Sequence, residues 1–107
     1  MIFKVVFLDS AEQDLRELRL YLLRNFGKPG WQALYRKIKN SVSILKPLPF
    51  GGGAPQELDR LGLTQFRQII SGMNRIIYEV RQETVYIHLV CDTRKDLKML
   101  LTQRLLC

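Results

Sequence analysis

Apolar and polar positions change period several times along the chain, and each change marks an element. Ile2–Leu8 is mostly β-branched or aromatic, interrupted by Lys4 and ended by Asp9-Ser10, which predicts a strand. Ser10-Ala11-Glu12-Gln13 has the form of a capping box, in which the serine oxygen accepts from a free backbone N–H and Gln13 reaches back to the cap. From there Ala11, Leu15, Leu18 and Leu22 recur at steps of four, three and four on one helical stripe, with Asp14, Arg16 and Glu17 on other faces. Asn25-Phe26-Gly27 should stop this helix, because glycine takes a left-handed cap freely. A second helix is predicted over Pro29–Leu45, where Trp31, Leu34, Tyr35, Ile38, Val42 and Leu45 repeat at three and four. The two make a helical hairpin.

Prolines at 47, 49 and 55 and glycines at 51, 52 and 53 remove regular structure from Lys46 to Gly62, predicting one long loop. Its three glycines lack the Gly-Lys-Ser/Thr that a phosphate loop requires. Thr64–Ile70, Asn74–Arg81 and Thr84–Cys91 are β-prone and joined by Ser71-Gly72-Met73 and Gln82-Glu83, so they predict an antiparallel meander. Asp92 or Thr93 is placed to cap a final amphipathic helix whose apolar face is Leu97, Leu100, Leu101, Leu105 and Leu106. The expected order is strand, helical hairpin, three strands, helix: an α+β domain over residues 1–107.

Composition narrows the function. A chain of 107 residues with 47% hydrophobic residues suffices for one core. No apolar run approaches the roughly 20 residues that a membrane-spanning helix needs, and Met1–Ser10 reads as a strand and not as a signal peptide. The expected location is the cytoplasm. Cys91 and Cys107, with the single histidine, make neither a disulfide framework nor a typical zinc site, and Cys91 is expected in the core. No metal or other cofactor is implied. The formal charge is +7, and it is uneven: between Leu18 and Gln56 lie Arg19, Arg24, Lys28, Arg36, Lys37, Lys39 and Lys46 with no acid among them. Such a surface attracts anionic partners, and its association with an acidic one should weaken with salt.

The order of elements and several local strings resemble the RelE/ParE superfamily of toxins from type II toxin–antitoxin systems, nearer the ParE type. "FLDSAEQDLRELRLYL" is similar to the family's opening, "FRQIISGMNRIIYEV" to its central hairpin, and "CDTRKDL" to the basic turn that many ParE-type members carry in an Arg-Arg-Asp form. The resemblance covers nearly the whole chain. It implies a small curved sheet on a helical hairpin, with Arg67, Arg75 and Arg94 projecting from strands or strand ends. It also implies a plasmid-stabilisation toxin held in check by a cognate antitoxin, which wraps the helices and the sheet edge and alone mediates contact with operator DNA.

Members of this superfamily divide into ribosome-dependent mRNA endoribonucleases and poisons of DNA gyrase. Cleaving RNA through its own 2′-hydroxyl needs a base, an acid and cations for the phosphorane. Ribonuclease members often supply a lysine cluster with a C-terminal tyrosine, or a Glu, Arg, His and Tyr set, and this sequence departs from both. Arg67 and Arg75 match basic positions and His88 is a candidate base, alternating with Tyr86 and Val90 on one strand face, but no tyrosine follows Arg94. A gyrase poison needs only a gripping surface. The expected target-binding residues are therefore Arg67, Arg75, Arg94 and Lys95, with His88, Arg67 and Arg75 as the catalytic set of the ribonuclease alternative. Arg94 and Lys95 sit at the start of the predicted last helix, where the dipole disfavours cations, which suggests a use for them.

Overall fold

The computed structural model describes residues 2–106, and for Leu105 and Leu106 the backbone alone. Its elements are β1 (Lys4–Phe7), α1 (Asp9–Ser43), α2 (Gln56–Asp59), β2 (Phe66–Ser71), β3 (Asn74–Arg81), β4 (Thr84–Asp92) and α3 (Leu97–Leu106). The helical hairpin is present as the single span α1, broken at Gly27, whose φ of 72° and ψ of −176° admit glycine and little else. Trp31 stacks on Tyr35 at 5.1 Å between ring centroids, and these two, with Leu15, Arg16, Arg19 and Lys39, line a groove between the limbs.

The expected capping box does not form. Helix α1 starts at Asp9 with no side-chain cap, and the Ser10 hydroxyl instead donates to the carbonyl of His88 across the fold, at 3.1 Å. A tertiary acceptor has outcompeted the local one.

Strand order is β1-β4-β3-β2. The meander is antiparallel, as its short turns require, with positive φ at Gly72 and Gln82. β1 joins it parallel to β4, from Lys4↔Thr84 to Phe7↔Ile87. Alternation along β3 sends side chains to two faces. Ile76 and Tyr78 meet Ala11, Ile38, Val42 and Leu45 in the main core under α1, while Ile77 meets Leu58, Phe66, Leu89, Cys91, Leu97 and Leu101 in a second core under α2 and α3. Between the pairs Ile77↔Leu89 and Tyr78↔Ile87 the register shifts, leaving His88 as the extra residue of a bulge. The bulge is why Ile87 and Val90 face the main core while Leu89 and Cys91 face the other. His88 therefore does not share a face with Val90, contrary to simple alternation.

The long loop also departs from expectation. Pro55 leads into the one-turn helix α2, whose buried Leu58 anchors the second core. The glycines pack on the sheet: Gly53 bridges Gln68, and the Gly52 N–H donates to the Tyr78 hydroxyl at 2.9 Å. A Cβ on Gly52 would stand 2.4 Å from the Gln68 carbonyl oxygen, so the approach admits glycine alone. Helix α3 begins at Leu97, later than expected, and its cap is Asp96, which accepts from the Met99 N–H at 3.1 Å. Leu97 and Leu101 are buried as predicted, whereas the side chains of Leu105 and Leu106, and Cys107, lie outside the described residues. Among the described residues no helix is long and apolar enough to cross a membrane, and no cluster of possible metal ligands occurs.

Candidate target-binding surface

Arg75 opens β3 on the face of the second core, and with 9% of its surface exposed it is committed to its own chain. Its guanidinium grips Glu57 of α2 bidentately, at 2.7 and 3.0 Å, and donates twice to the Gln68 amide oxygen, at 3.0 and 2.6 Å. The fork geometry suits a carboxylate, and the arginine holds the Glu57 carboxyl down to about 2. Arg75 is thus the strut that fixes α2 to the sheet.

Arg67 neighbours Phe66 on β2, and alternation turns it to the opposite face. It donates to the carbonyls of Phe50 and Gly52, at 3.1 and 2.8 Å, and its guanidinium lies 5.1 Å from the Phe50 ring centre. Loop carbonyls take much of its donor capacity.

Arg94 and Lys95 are exposed, in the turn between β4 and α3. Since α3 starts only at Leu97, they precede its first turn, and the dipole cost expected for them is not incurred. Asp92 is not the cap of that helix. It accepts from the backbone N–H of Arg94 at 2.8 Å and from the guanidinium at 2.9 Å twice, which holds its carboxyl at about 2. The Arg94 side chain is nevertheless 80% exposed, and an ion pair so open to water exchanges partners readily. Behind the turn, a cavity of about 500 Å³ runs between α1 and α3, with Tyr21, Asn74, Lys95 and Arg104 on its walls.

His88 has acquired a partner that sequence reasoning missed. Its Nε2 lies 3.0 Å from Glu79 Oε1, both side chains being largely buried. Phe66 meets its ring edge-on at 5.1 Å, Arg81 pairs with the same carboxylate at 2.8 Å and lies 5.5 Å from the Tyr86 ring centre. Burial lowers the His88 pKa against the pull of Glu79, so the imidazole is neutral at pH 7. Of the alternative catalytic set, Arg67 stands on the other face of the sheet and Arg75 is tied to Glu57, so His88, Arg67 and Arg75 do not converge. Cross-strand pairing of Glu79 with Tyr86 is the signal that would have found the cluster, once the hairpin register was drawn.

A second missed group closes the edge of β4. Asp14 accepts from the Val90 N–H at 2.9 Å and pairs with Arg104, which also donates to the His88 carbonyl at 2.6 Å. Burial pushes the Asp14 carboxyl up, against those two donors.

A four-stranded sheet wrapped by a helical hairpin on one face and a short C-terminal helix on the other is the architecture of the RelE/ParE class of toxins. The chain belongs to the ParE toxin family: the family model described as the ParE toxin of the type II toxin–antitoxin system, parDE, matches residues 5–97. The fold is similar to that in a chromosomal ParDE toxin–antitoxin system from P. aeruginosa, with a TM-score of 0.71 at 15% identity, over 85% of this chain and 96% of that one. It is also similar to a chain of the RelBE2 toxin–antitoxin complex of Mycobacterium tuberculosis, with a TM-score of 0.55 at 22% identity, over 86% of this chain and 99% of the other. Among curated proteins none matches the chain in sequence.

Proposed function

We propose that this toxin arrests growth in the cytoplasm by gripping DNA gyrase and stalling its cleavage cycle, and that a cognate antitoxin neutralises it. The observation that carries this reading is the turn Arg94-Lys95, two exposed cations whose neighbouring carboxylate, Asp92, is already engaged by Arg94 itself. Arg94 gives up Asp92 for an anionic group on the target, Lys95 adds a second charge, and Arg75 and Arg67 act from behind by fixing α2, the loop and the sheet. No cofactor takes part. Contact with operator DNA passes through the antitoxin complex, as befits a plasmid-stabilisation module.

One observation favours a second reading, ribosome-dependent mRNA cleavage: the neutral His88 ring, oriented by Glu79, with Arg81 and Tyr86 at hand. The experiment compares variants that fold and bind antitoxin. With Arg94→Glu plus Lys95→Glu, gyrase affinity and growth arrest should fall about tenfold or more, while His88→Ala and Tyr86→Phe keep most of the toxicity. If His88→Ala alone abolishes toxicity, by the 10²- to 10⁴-fold typical of a lost general base, the ribonuclease reading stands instead.

A further inference from the structure

The groove between the limbs of α1, a cavity of about 460 Å³, has two unlike walls. Arg16 and Arg19 stand a turn apart on the first limb, while Trp31, Tyr35 and Lys39 follow at steps of four on the second and so share one face. Among the described residues neither Arg19 nor Lys39 has a carboxylate partner. Arg16 has only Glu12, at 3.9 Å, with both side chains more than half exposed. No acidic residue occurs between Leu18 and Gln56 to neutralise this surface.

The aromatic wall is a stack with one open end. The Lys39 ammonium lies over the Tyr35 ring at 5.4 Å from its centre, and Trp31, a turn earlier, stacks on that ring at 5.1 Å. The second face of the indole looks towards the break in α1, where Gly27, the residue a turn before Trp31, has no side chain to cover it. No other ring and no cation lies against Trp31 among the described residues. Cations that track a backbone beside an open aromatic face are what a single nucleic-acid strand requires. An extended peptide fits less well, because both walls are helices that spend their backbone groups internally and leave few for main-chain pairing.

We propose that this groove holds a short stretch of single-stranded DNA: one base stacks on the open face of Trp31, and the phosphates that follow run past Arg19 to Arg16 and Lys39. From Trp31 to Lys39 the limb rises about 12 Å, room for roughly three nucleotides spaced at about 3.4 Å. Stacking reads no base edge, so the groove takes any sequence. The site adds to the gyrase reading a contact with the DNA on which gyrase acts, and it rests on that reading for the choice of DNA over RNA.

Trp31 is the chain's single tryptophan, so its emission reports on the groove directly. The probe is an oligothymidylate of about a dozen nucleotides, titrated into the full chain free of antitoxin at low and at physiological salt. Stacking quenches Trp31 saturably, with an affinity that falls as salt rises. Arg19→Glu with Lys39→Glu weakens binding about tenfold or more, whereas Arg24→Glu with Lys37→Glu, an equal change of charge outside the groove's lining, has a much smaller effect. Equal weakening by the two pairs, equal affinity for the duplex formed with oligoadenylate, or binding that leaves Trp31 emission unchanged means a diffuse field and overturns the groove. Tighter binding of oligouridylate, by about tenfold, makes RNA the ligand and overturns the choice of DNA. Gyrase is absent from the titration, so quenching by the oligonucleotide with supercoiling uninhibited in a parallel reaction upholds the groove and sinks the gyrase reading alone. The wild-type titration decides even if a variant does not fold.

Discussion

Arg75 and Arg94 both stand where a strand begins or ends, yet their surroundings give them different work. Arg75 has two partners and little water, and Arg94 has one partner and mostly water. Arg75→Ala should cost about 2 kcal/mol in urea unfolding, below the 3–5 kcal/mol of a fully buried pair because the Glu57 side chain is 41% exposed. Glu57 makes the same contact visible as pH dependence. Its folded pKa of about 2 lies below the ordinary 4.5, so the stabilisation is complete above about pH 4.5 and is lost as pH falls towards 2. Asp14 has the opposite sign, since its raised pKa ties stability to the protonated form, lost as pH rises through the folded value. The comparison that isolates Glu57 is wild type against Glu57→Gln: the urea midpoint of the variant should change less between pH 4.5 and 2, and parallel curves would contradict the strut.

At the level of elements, the break in α1 has the sharpest requirement. Gly27 sits at φ 72° with its ψ near 180°, a region costly for any side chain, by about 1–3 kcal/mol. Gly27→Ala should lower the melting temperature by several degrees, at roughly 4–8 °C per kcal/mol for a domain of this size; an unchanged melt would mean that the hairpin bends elsewhere. The hairpin and the strand Asn74–Arg81 were legible because each is a long run at one period, closed by glycine or by a tight turn. Helix α2 was not legible, being a single turn behind a proline, held by Leu58 and by the tertiary reach of Arg75. The capping box and the Asp92 cap failed for a related reason: Ser10 found the His88 carbonyl, and Asp92 found Arg94. Of the candidate site, the cations of the last turn could be read directly from the chain. The Glu79–His88 pair depends on a bulge, and the Asp14–Arg104 pair joins residues 90 positions apart, and neither leaves a local pattern.

The whole molecule carries a charge of +7 on a sheet covered unequally on its two faces. A positive field hastens encounter with any polyanion, so charge alone does not choose between gyrase and the ribosome. The gyrase reading rests on the exposed cations at the end of β4, whose neighbouring carboxylate Asp92 is held by Arg94, against a largely buried His88 whose Nε2 lies 3.0 Å from Glu79. The most direct measurement gives one purified preparation of wild-type protein, free of antitoxin, to a gyrase supercoiling reaction and to a translating ribosome. Inhibition of supercoiling with mRNA left intact, reversed by adding antitoxin, is the predicted result. Cleavage of ribosome-bound mRNA with supercoiling unaffected would contradict it.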